Sequence, residues 1–161
     1  MNSLRRIVPA LIACSSLSPV AAAAGAPNVQ LQFSGVALVN TRDGVVRKPL
    51  SSVVLHTGDE VRFTIVALNR GDEPALAFSP TGPVQPRFAF VAGTASAAGA
   101  SVKYSVDGRT FSASPTVTVA TANGPQSRPA DPATYRAVRW LLAKPLAPHE
   151  KATFSYEVRV R

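Results

Sequence analysis

Apolar and polar residues alternate with a period of two along most of the chain. Val29, Leu31 and Phe33 interleave with Gln30, Gln32 and Ser34, which predicts a first strand continuing to about Val39. Val61, Phe63, Ile65 and Ala67 oppose Arg62 and Thr64 in a second long strand. Near the C-terminus, Ala152, Phe154, Tyr156, Val158 and Val160 point one way, while Thr153, Ser155, Glu157, Arg159 and Arg161 point the other. Val138, Trp140 and Leu142 form the matching apolar face of the preceding strand, predicted over Thr134 to Ala143. Shorter candidates lie at Val53 to His56, at Pro74 to Phe78 and from Phe88 onward.

Turn residues separate these runs. Asp43-Gly44, Thr57-Gly58-Asp59 and Asn69-Arg70-Gly71-Asp72 each break the alternation. Pro80 to Pro86 is too proline-rich for a central strand. Asp107-Gly108, inside the run Val102 to Phe111, predicts a type I′ hairpin, with Val117 and Val119 extending that region. Asn123 to Pro132 reads as a long polar loop. The total is seven to nine short strands and no helical period. That pattern predicts an all-β fold, an Ig-like antiparallel β-sandwich.

Composition adds a compartment. Arg5 and Arg6 precede an apolar stretch from Ile7 to Leu17, and Ala21 to Ala24 offer a small-residue cleavage site. Residues 1–24 are therefore expected to be a secretory signal peptide, and residues 25–161 a single exported domain, periplasmic or extracellular. Leu11-Ile12-Ala13-Cys14 also resembles a lipobox, in which case Cys14 would carry a lipid anchor instead. Cys14 is the only cysteine, so the exported domain has no disulfide, zinc-thiolate site or cysteine nucleophile. No further apolar run is long enough for a transmembrane helix. The 17 basic against 9 acidic residues are scattered rather than clustered, which argues against a nucleic-acid partner.

Four segments, Gly58 to Ile65, Asn69 to Ala75, Phe90 to Ala95 with Tyr104 to Gly108, and Val138 to Trp140 with Leu146 to Pro148 and Phe154 to Val158, together resemble the domain of unknown function 11, also called the conserved repeat domain, a bacterial Ig-like module of secreted and surface proteins. Gly58 to Ile65 is similar to its "GD-x-V-x-Y-T-I" strand, and Asn69 to Ala75 to its "N-x-G-D-x-P-A" turn. Phe90 to Ala95 with Tyr104 to Gly108 is similar to "Y-V-x-G-S-A … Y-S-V-D-G-G". Val138-Arg139-Trp140, Leu146 to Pro148 and Phe154 to Val158 are similar to the closing "V-R-W … L-x-P-G … F-x-V-x-V" hairpin. His149 stands where the family pattern has Gly. The resemblance spans Thr57 to the C-terminus and implies a structural or binding module, without catalytic residues.

The residues themselves favour the same class. His56 and His149 lie at or next to turns, with no second ligand at metal-binding spacing. Asp59-Glu60 and Asp72-Glu73 are adjacent acids whose side chains leave a strand on opposite sides, so turn chemistry explains them better than catalysis or calcium. Arg70-Gly71-Asp72 spells an integrin-recognition tripeptide, but it is also ordinary turn sequence. Trp140 reads as a core aromatic. No cofactor is implied. Tyr135, Arg139, Arg159 and Arg161 are expected to face outward on the last hairpin, as a candidate contact patch for an acidic partner. The expected function is a non-enzymatic exported module making protein–protein or cell-envelope contacts. The partner would be an envelope protein, or another copy joined through sheet edges. The alternative is a module binding carbohydrate or another envelope polymer.

Overall fold

The structure is a computed structural model and describes residues 26–161; the leader and Cys14 lie outside that range. Ten strands are present among the described residues: β1 (Val29–Thr41), β2 (Gly44–Pro49), β3 (Glu60–Asn69), β4 (Thr81–Pro83), β5 (Phe88–Phe90), β6 (Ala100–Ser105), β7 (Thr116–Thr121), β8 (Gly124–Pro129), β9 (Ala137–Leu142) and β10 (Lys151–Val160). All pairings are antiparallel. One sheet has the order β2-β1-β3-β10-β5, a second has β4-β9-β6, and β7 and β8 form a separate ribbon. The all-β sandwich expected from the alternation is present.

The core lies between the five-stranded and three-stranded sheets. Val61, Ile65 and Ala67 of β3 and Phe154, Tyr156 and Val158 of β10 point inward from the larger sheet. Val138 and Trp140 of β9 meet them from the smaller one. The Trp140 ring lies 5.6 Å from Phe154 and 5.9 Å from Tyr156. The Tyr156 hydroxyl crosses between the sheets and donates to the Pro83 carbonyl at 2.6 Å. A Cβ on Gly82 would come within 2.5 Å of the Tyr156 ring, so only glycine fits there. Burial pushes the Tyr156 hydroxyl well above its ordinary pKa, so it stays a donor.

Asn69 closes the end of β3. Its Oδ1 accepts from Asn28 N and Gly71 N, and its Nδ2 donates to the carbonyls of Glu73 and Leu146. Four partners fill the side chain's hydrogen-bonding capacity at a fully buried position. Gly71 lies against the first described residues, where a Cβ would meet the Ala26 carbonyl at 2.3 Å.

Four expectations need correction. Pro74 to Phe78 is not a strand; only Ala75 pairs, in an isolated bridge with Leu146. Val53 to His56 is not a strand; the chain forms β2 at Gly44–Pro49 and then a 3-10 turn at Leu50–Ser52. Asn123 to Pro132 is not all loop. Thr121-Ala122-Asn123-Gly124 turns β7 into β8, with the Thr121 hydroxyl donating to the Gly124 carbonyl at 2.7 Å. The same chemistry closes β1 onto β2, where Thr41 donates to Gly44 O at 2.8 Å. Finally, Asp107-Gly108 does not form a tight hairpin. Asp107 Oδ1 accepts from Arg109 N and Thr110 N, opening a broad loop that rejoins β6 only at the bridge of Tyr104 with Ser112.

Two substitutions test this packing by urea denaturation. Tyr156→Phe removes one buried inter-sheet hydrogen bond and is expected to cost about 1 kcal/mol with an unchanged m-value; Gly82→Ala is expected to cost more. His149 has a φ of 61°, a left-handed conformation that glycine adopts without strain. His149→Gly is expected to be neutral or to stabilise by up to about 1 kcal/mol.

Candidate functional site

The four residues of the expected contact patch do not assemble. Tyr135 is 7% exposed and stacks on Tyr104 at 5.0 Å and Phe90 at 5.7 Å. It follows a 3-10 turn (Pro132–Thr134) and precedes β9, so strand alternation does not govern its direction. Arg139 projects from the outer face of the smaller sheet, while Arg159 and Arg161 lie on the larger one. Arg159 pairs with Glu60 at 2.7 Å, and Arg161 donates to the Ala133 carbonyl.

The other flagged residues are committed to local structure. Asp59 accepts from His56 N at 2.7 Å, with His56 Nδ1 3.7 Å from the same carboxylate. His149 Nε2 lies 3.6 Å from Asp72, both well exposed. Arg70 does not project alongside Asp72; its Nε donates to Gln30 at 2.5 Å. Glu60 and Glu157 pair with Arg159 and Arg62. No group of three or more His, Cys, Asp or Glu side chains is placed to hold a metal among the described residues. No described helix is long and apolar enough to cross a membrane.

Two surfaces remain with unusual chemistry. The first is the inner face of β1. β2 pairs with β1 only from Val36 to Thr41, whereas β3 pairs from Val29 to Leu38. The edge of β1 from Val29 to Gly35 therefore has no strand beside it. The three-stranded sheet is also too narrow to cover this part of the larger one. Leu31 and Phe33 consequently stay 55% and 50% exposed, although their side chains share the inward face of the sheet. The Phe33 ring packs against that of Phe63, at 5.3 Å. An open edge flanked by large apolar side chains is a template for another strand.

The second is the outer face of the smaller sheet. Thr81, Arg139 and Lys103 stand in one row across β4, β9 and β6. None of these three strands contains an Asp or Glu. The Arg139 guanidinium lies 3.6 Å over the Phe111 ring, and its Nε donates to the Thr81 hydroxyl at 3.1 Å. Phe111 arrives from the loop that Asp107 shapes. Sequence reasoning found Arg139 but missed Lys103 and Phe111, because their neighbourhood arises from register and loop geometry rather than from sequence spacing.

No protein-family model matches this chain, and no curated protein or solved structure does. The resemblance to the conserved repeat domain thus rests on its motifs alone.

Asp107 supplies a pH test of the loop under Phe111. Hydrogen bonds from Arg109 N, Thr110 N and the Ser105 hydroxyl hold its carboxyl far below the usual carboxylate range. A depressed pKa contributes stability that is present above the unfolded-state value near 4 and lost as pH falls through the folded-state value. Asp107→Asn removes that titration. Thermal unfolding followed on acidification below about pH 4 is expected to show a shallower fall in Tm for Asp107→Asn than for the wild type.

Proposed function

We propose that this chain is an exported, non-enzymatic β-sandwich module that works by contact, with the open edge of β1 as its docking site for a protein partner in the cell envelope. The observation that carries the reading is the bare stretch Val29–Gly35 with Leu31 and Phe33 exposed beside it. An extended partner segment would add a strand along this edge, its backbone bonding to β1. Alternate apolar side chains would cover Leu31 and Phe33, and the polar positions would face the side of Gln30, Gln32 and Ser34. The leader pattern at residues 1–24 supports export. The positive φ of His149, at the place where the conserved repeat pattern has Gly, supports the family resemblance.

The polymer-binding alternative has weaker support. A sugar platform needs exposed aromatic faces, and Trp140, Tyr135 and Tyr156 are buried.

A photo-cross-linking residue at position 33, introduced in the native envelope, tests the reading. One protein partner is expected to cross-link there and not from a control position on the ribbon, such as Thr118. The variant Leu31→Lys, combined with the cross-linker at position 33, is expected to reduce its capture about tenfold or more while leaving the melting temperature nearly unchanged. Capture that is equal for the variant, or equal from the ribbon, would reject the β1 edge as the site. Sedimentation of the purified protein separates a foreign partner from a second copy.

A further inference from the structure

We infer that the row formed by Lys103 and Arg139 is a binding site for a phosphate group, independent of the β1 edge. Lys103 and Arg139 are direct cross-strand partners in the β6–β9 register, with both side chains on the outer face. Like charges placed opposite each other destabilise a strand pair unless something neutralises them. Among the described residues nothing does so. Neither residue has an ion pair among the described residues, and β4, β6 and β9 contain no acid. The loop acid Asp107, just beyond β6, is occupied by Ser105, Arg109 and Thr110.

Arg139 is also held ready. Phe111 supports one face of its guanidinium at 3.6 Å, and the Nε bond to Thr81 at 3.1 Å fixes its rotation. The two terminal nitrogens keep their donors for a ligand, in the fork that matches phosphate or carboxylate oxygens. The adjacent ammonium of Lys103 decides between those two chemistries. A carboxylate neutralises one of the paired cations, whereas a phosphate monoester near neutral pH carries enough charge for both and a third oxygen for Lys103. Thr81 and Phe111 are positioning residues for Arg139; Arg139 and Lys103 make the contact.

The site is tested with the purified exported protein, using inorganic phosphate and, separately, phosphatidylcholine vesicles with and without phosphatidic acid. Phosphate is expected to raise Tm above chloride at matched ionic strength and to shift the amide signals of Lys103 and Arg139. Lys103→Gln is expected to raise Tm without phosphate, because the repulsion is gone, and to weaken phosphate binding about tenfold. Arg139→Lys keeps the charge but loses the fork, so it is expected to weaken binding too. Phe111→Leu is expected to weaken binding, with recovery in Phe111→Tyr, which keeps the aromatic face. Co-sedimentation only with phosphatidic acid vesicles assigns the phosphate to a lipid headgroup; a response to inorganic phosphate alone assigns it to a soluble ligand. Phosphate and chloride acting alike on the wild type, with no preference for phosphatidic acid vesicles, would overturn the inference. A phosphate response unchanged in Lys103→Gln would overturn it as well.

Discussion

The structure depends on one inter-sheet contact, where Trp140 of β9 meets Phe154 and Tyr156 of β10. The inward apolar faces of β3 and β10 lie on one sheet and that of β9 on the other, so neither sheet excludes water from its core side alone. The three rings supply most of the thickness between the sheets at this point, and the Tyr156 hydroxyl then fixes the lateral position of β4 through Pro83. Gly82 is the accommodation the smaller sheet makes for that ring. The indole Nε1 of Trp140 finds no protein acceptor, at a cost of about 1–3 kcal/mol. Burial of the rest of the ring outweighs it, since full burial of a large apolar side chain contributes roughly 2–3 kcal/mol and aromatic pairing adds to this.

The same contact explains why the surface chemistry lies where it does. A three-stranded sheet seated over β3, β10 and β5 leaves the outer part of β1 uncovered. Leu31 and Phe33 are inward by parity but exposed by architecture. On the far side, registering β9 between β4 and β6 places Arg139 between Thr81 and Lys103. Both candidate surfaces follow from how the narrow sheet is aligned, with Phe111 added to the second by the loop that Asp107 shapes.

Much of the fold was legible in the sequence, for a physical reason that also defines what was not. β3, β9 and β10 each bury one face, so burial writes a period of two into their residues, and β1 carries the same alternation although Leu31 and Phe33 stay exposed. β2 and the β7–β8 ribbon are exposed along almost their whole length, and no burial pattern constrains them. The ribbon did carry a local signal in Asn123-Gly124, a favoured turn pair. Asp107-Gly108 carried the same signal, but there the carboxylate bonds two later backbone N–H groups and widens the turn. Tyr135 was misdirected because it lies outside a strand. In the candidate phosphate site only Arg139 was visible, since Lys103 and Phe111 are more than twenty residues away along the chain.

The position of β10 has a kinetic meaning. It is the last of the described strands in sequence, yet it sits inside the larger sheet, between β3 and β5. The β1–β2 and β7–β8 hairpins can close as soon as their own residues are available, because their loops are short. β3 has no such freedom on its second side; its partner Lys151–Arg159 is separated from it by almost the whole intervening chain. Closing that long loop is the entropically slow step, and the Trp140 contact cannot form before it. A chain that lacks β10 therefore holds local hairpins but cannot close the core between the two sheets. The order of strands thus makes closure of the core wait for β10, the last of the described strands to be made.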